Sequence, residues 1–86
     1  MLLSTSKNMD RYIDELANYV VEKMLALGEE EGVIPTRTIQ NYVNAVCHRV
    51  SPQELYTIVI SKLESTGKFE PVEDEMGEVV AYRYIP

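Results

Sequence analysis

From Asp10 to Leu27 the apolar residues Ile13, Leu16, Ala17, Val20, Met24 and Leu27 recur at spacings of three and four, which is one stripe of an α-helix. Asp10, Asp14 and Glu15 crowd its start, as the helix dipole favours, and Gly28 offers a stop before a solvated Glu29-Glu30-Glu31-Gly32 loop. Val33-Ile34-Pro35 is short and apolar and ends on a residue that cannot donate to a ladder, so it fits a brief edge strand or an extended linker. Thr36 is placed to cap a second helix, on which Ile39, Tyr42, Val43, Val46 and Val50 face one way and Arg37, Asn41, Asn44 and His48 the other.

Ser51-Pro52 starts a third helix, expected over 51–66: the serine oxygen accepts from first-turn amides, proline at the first helical position gives up no needed donor, and Ser51 with Glu54 reads as a capping box. Leu55, Tyr56, Val59, Ile60 and Leu63 form its buried face, and Gly67 supplies the left-handed residue that ends it. Lys68 to Val72 and Val79 to Ile85 then read as two antiparallel strands around an acidic turn in which Gly77 takes positive φ. Alternation along the second strand sets Val80, Tyr82 and Tyr84 against Val79, Ala81, Arg83 and Ile85, so that one face covers the helices and the other meets solvent. These elements predict an α+β fold in one domain spanning residues 1–86, with residues 1–9 as a flexible lead.

Composition narrows the class. A chain of 86 residues buries only roughly 60 to 65% of its unfolded surface, and 45% apolar with 26% charged residues is ordinary for a packed globular core. The single cysteine, Cys47, excludes an internal disulfide, and the start Met1-Leu2-Leu3-Ser4 lacks the long apolar core of a secretion signal, so a cytoplasmic, intracellular setting is expected. No run approaches the roughly 18 apolar residues of a membrane span, so no membrane partner is expected.

The net charge of −6 argues against an anionic partner when read alone. Its distribution changes that picture. Residues 1–35 carry three Lys or Arg against seven Asp or Glu, and residues 69–86 carry one against five, whereas residues 36–68 carry Arg37, Arg49, Lys62 and Lys68 against only Glu54 and Glu64. The cationic surplus sits on helices two and three.

Three helices, a short strand after the first and a terminal hairpin resemble the winged helix-turn-helix superfamily over about Asp10 to Ile85, most sharply in Tyr56, Val59, Ile60, Leu63-Glu64 and Gly67-Lys68-Phe69. The resemblance implies a recognition helix in the major groove, a second helix crossing above it, and a wing at the phosphates or the minor groove. Carried onto this chain, Gln53, Thr57, Ser61 and Ser65 form the reading stripe, with Gln53 able to pair with adenine, and Arg37, Arg49, Lys62 and Lys68 are the phosphate contacts. Two positions depart from a DNA-reading pattern: Glu54 lies on helix three, and Glu73, Asp74, Glu75 and Glu78 make a wing that repels phosphate.

Ile58 falls well outside the apolar face and is expected to project beside Glu54 and Lys62, against a thymine methyl or as the anchor of a protein contact. Tyr12 and Tyr19 flank the main stripe of helix one, where they serve either a homodimer or a cover supplied by Tyr82 or Tyr84.

No catalytic constellation can be assembled. Cys47 and His48 are helix neighbours whose side chains point about 100° apart, so they make no nucleophile and base pair. One His and one Cys make no zinc site within the chain, and the acidic runs at 29–31 and 73–78 read as solvated loops, so no cofactor or metal is expected and the chain does not read as an enzyme. Two readings remain: a small DNA-binding protein of the transcriptional-regulator kind acting on double-stranded DNA, and an acidic protein-interaction module or complex subunit that meets its partner through helix three.

Overall fold

In the computed structural model of the chain, which describes residues 5–86 and their side chains from Met9 onward, the first helix is longer at both ends than its apolar pattern indicates. Helix α1 spans Thr5–Glu31 and buries Ile13, Ala17, Val20, Val21 and Met24 along one side. Residues 5–9, expected as a flexible lead, belong to this helix, while residues 1–4 of that lead lie outside the described residues.

Gly28 does not stop α1. It sits inside the helix, where a Cβ would come within 2.9 Å of the Phe69 ring and 3.0 Å of the Tyr84 ring, so its missing side chain lets the sheet approach. Glu29, Glu30 and Glu31 are accordingly the exposed last turn rather than a loop. Gly32, at φ +85, ends the helix instead: its N–H donates to Gly28 O at 2.8 Å and its carbonyl accepts from Tyr84 N–H at 2.7 Å.

That last bond opens strand β1 (Val33–Pro35), which pairs antiparallel with β3 (Val79–Tyr84), and β3 pairs antiparallel with β2 (Phe69–Glu73), giving the order β1-β3-β2. Tyr82 of the central strand lies between Ile34 and Pro71 on the inner face, and Arg83 lies between Val33 and Glu70 on the outer one. Because Gly32 and Lys68 both offer carbonyls to β3, alternation turns Pro35 and Pro71 to the free edges, where a missing N–H costs no ladder bond. Tyr82 is buried as expected and Tyr84 packs edge-on against Phe69 with ring centres 5.6 Å apart, but Val80 remains exposed at the start of the strand.

Helix α2 (Thr36–Val46) follows β1 without a break. Thr36 is its first helical residue and not its cap: the cap position is Pro35, and the Thr36 hydroxyl donates to Val80 O at 3.3 Å, tying α2 to β3. Ile39 and Val43 are fully buried; the helix closes at Val46, so Val50 packs on the core from the following turn. Helix α3 (Pro52–Ser65) begins with the expected Ser51 cap, whose Oγ accepts from Glu54 N–H at 3.3 Å as one half of the capping box, and it buries Leu55, Val59 and Leu63, with Tyr56 and Ile60 half-buried. Gly67, at φ +71, turns the chain into β2.

The resulting core draws on all three helices and the inner sheet face, with no buried polar or charged residue among those described. This α+β arrangement, with a strand after the first helix and a C-terminal hairpin, is the order of elements that the hydrophobic pattern predicts.

Candidate nucleic-acid interface

The packing of Leu55, Val59 and Leu63 turns Gln53, Thr57, Ser61 and Ser65 to solvent as one stripe. Two of the hydroxyls are already used: Thr57 Oγ1 donates to Gln53 O and Ser65 Oγ donates to Ser61 O, each at 3.0 Å. These back-bonds commit the donors to the helix and leave oxygen lone pairs facing outward, so the stripe offers acceptors more than donors. Gln53 sits in the first turn of α3 with its amide exposed.

Ile58 does not project freely beside Glu54 and Lys62. It is half-buried and packed against the core cluster, as are Tyr56 and Ile60, because the core beneath α3 reaches a wider arc than projection of a single helix predicts. Lys62 is already paired: its Nζ lies 2.7 Å from Asp14 Oδ1 on α1. The expected cationic set therefore divides. Arg37 in the first turn of α2, Arg49 in the α2–α3 turn and Lys68 before β2 are exposed and form no ion pair among the described residues, whereas Lys62 is engaged across the helix interface.

A feature that residue-by-residue reading of the sequence missed lies on the α2 side. No Asp or Glu occurs from Gly32 to Gln53, although the chain carries fourteen in all. The exposed residues of this stretch include Arg37, Asn41, Asn44, His48 and Arg49, and Gln40 Nε2 donates to Asn44 Oδ1 at 3.0 Å. The signal lies in the spacing of the acids, which a net charge over longer blocks averages away. Arg49 is held at φ +65, a left-handed conformation unusual for a residue with a Cβ.

The hairpin is the opposite pole. Asp74 Oδ1 accepts from both Met76 N–H and Glu78 N–H at 2.9 Å, and Gly77 takes φ +81, so the turn holds Glu73, Asp74, Glu75 and Glu78 in solvent. The hairpin is anchored to α3 by Tyr82, whose hydroxyl donates to Glu64 Oε2 at 3.4 Å. Burial, with the Glu64 charge adding to it, pushes the Tyr82 phenol up to about 12, and burial also raises Tyr56.

On the far flank of α1, Tyr12 is half-buried and Tyr19 is exposed, with Lys23 Nζ 5.2 Å from the Tyr19 ring centre. Tyr82 bonds to Glu64 and Tyr84 packs on Phe69, while Tyr19 stays 48% exposed. Among the described residues no three His, Cys, Asp or Glu side chains are placed to hold a metal ion, Cys47 Sγ points to Asn44 O at 3.5 Å, and no helix is long and apolar enough to cross a membrane. Comparison with protein-family models, curated proteins and solved structures finds no match to this chain.

Proposed function

We propose that this chain is a winged-helix protein of the helix-turn-helix superfamily that binds duplex DNA, as transcriptional regulators do, through α2, the α2–α3 turn and the first turns of α3. The observation that carries this reading is the acid-free stretch from Gly32 to Gln53, the one long segment of a strongly acidic chain from which carboxylates are excluded. Local charge outweighs net charge for a bound phosphate, because fields from groups beyond about 10 Å are largely screened at ordinary ionic strength.

Arg37 and Arg49 then contact phosphates, with the exposed amides of Asn41 and Asn44 as further backbone partners, and Gln53 meets base edges in the major groove. The acidic wing stays clear of the duplex. An intracellular site of action goes with this reading.

The direct test is fluorescence polarisation of the full chain against mixed-sequence duplex at rising salt. Two or three phosphate contacts give a log–log slope of about −2 to −3. Gln53→Ala changes preference at one base position by about 1–3 kcal/mol, and an equal loss on every sequence refutes its readout role. A protein-interaction module is the second reading, favoured by the acidic hairpin and by the engagement of Lys62 with Asp14. No binding to duplex at low salt selects it.

A further inference from the structure

Helix α1 carries a second stripe that the described residues cover only in part: Leu16 rests on the core and Tyr42 of α2 borders Lys23 and Ala26, while the rest of the stripe faces outward. Met9, Tyr12, Leu16, Tyr19, Lys23 and Ala26 alternate in steps of three and four, the period of a coiled-coil seam, and lie on a different side of the helix from the buried Ile13, Ala17, Val20 and Met24. Met9 and Tyr19 are 36% and 48% exposed, Ala26 and Lys23 are exposed, and Tyr12 and Leu16 are half-buried. The seam also runs past the body: a helix of 27 residues is roughly 40 Å long, and none of its described side chains before Ile13 is buried. The molecule measures 50 × 27 × 21 Å.

We propose that a second copy of this chain covers this seam, with the two α1 helices antiparallel about a two-fold axis between Leu16 and Tyr19. This arrangement sets Met9 against Ala26 of the second copy, large on small, Leu16 against Tyr19, and Tyr12 against Lys23. A parallel pairing stacks Lys23 on Lys23, whereas the antiparallel one lays each ammonium against a tyrosine ring, the kind of partner it already has in Tyr19. A lone lysine in the seam also fixes the register at some cost in stability.

The occupant has to be slender, because six seam positions supply well under the roughly 800 Å² per partner of a standard interface. The dimer is therefore weak and concentration-dependent. Asp14, which holds Lys62, lies on the opposite flank of α1, so pairing leaves the Lys62 side of α3 open.

Sedimentation of the full chain from low to high micromolar concentration tests it, with a shift from monomer to dimer expected. Tyr19→Glu and Ala26→Glu, both at exposed positions, abolish the shift while leaving the circular dichroism spectrum unchanged. In a Cys47→Ser background, Met9→Cys with Ala26→Cys forms a disulfide-linked dimer under mild oxidation. Met9→Cys alone does not, since its two copies stand about 25 Å apart in this arrangement. A monomer at every concentration, or a dimer indifferent to both glutamate variants, overturns the proposal, and efficient cross-linking of Met9→Cys alone overturns the antiparallel pairing.

Discussion

Lys62 Nζ on α3 and Asp14 Oδ1 on α1 meet at 2.7 Å, joining the two helices whose packing forms most of the core. The pair withdraws a cation from the surface of α3 that the sequence alone offers to phosphate. Asp14→Asn returns it. Both side chains remain partly exposed, at 30% and 56%, so loss of the bridge costs at most about 1 kcal/mol in a urea titration. The same variant steepens the salt dependence of DNA binding by about one unit of log–log slope, and Lys62→Ala in the unaltered background leaves that slope nearly unchanged. A large loss of DNA affinity from Lys62→Ala shows instead that the bridge opens on binding.

Gly28 separates helix propensity from packing. Alanine is the better helix former by about 1 kcal/mol, yet a Cβ at 2.9 Å from Phe69 and 3.0 Å from Tyr84 forces two packed aromatic rings to move. Gly28→Ala is expected to lose about 1–3 kcal/mol in chemical denaturation. Unchanged or raised stability means that the sheet shifts away from α1 at little cost.

Arg49 allows binding to be tested apart from folding. At φ +65 glycine relieves a conformational cost of about 1 kcal/mol, so Arg49→Gly holds or raises stability while Arg49→Ala keeps the strained backbone. Both remove the same guanidinium and weaken binding alike on all duplex sequences, lowering the salt slope by about one. If only Arg49→Ala binds poorly, the effect belongs to the fold.

Tyr82 gives the protein an alkaline limit. Its phenol is pushed up to about 12 from an ordinary 10 by burial and by Glu64, so the folded state favours the protonated form. That contribution is fully present below pH 10 and disappears as pH rises from 10 toward 12, and the raised Tyr56 acts in the same direction. Thermal melts across this range fall steeply for the parent chain and less steeply for Tyr82→Phe, with phenolate absorbance following the same transition.

What the sequence by itself determined is whatever depends on neighbours within about four residues. The apolar spacing of α1 and α3, Pro52 behind the Ser51 cap, Gly67 and Gly77 at left-handed turns, and the order of elements all follow from such short-range rules. Whether Gln53, Thr57 and Ser61 share an outward stripe was equally legible, because a helix fixes directions once its buried side is known.

Only the tertiary structure decided what depends on residues brought together from distant parts of the chain. Gly28 has the appearance of a stop until Phe69 and Tyr84 arrive against it; Thr36 resembles a cap until Val80 supplies an acceptor; Lys62 is a surface cation until Asp14 meets it; and Ile58 is an exposed anomaly until the assembled core packs against it. In each case a glycine, hydroxyl, ammonium or alkyl group has several low-energy uses of similar free energy. The partner across the fold selects among them, and no local pattern encodes which partner that is.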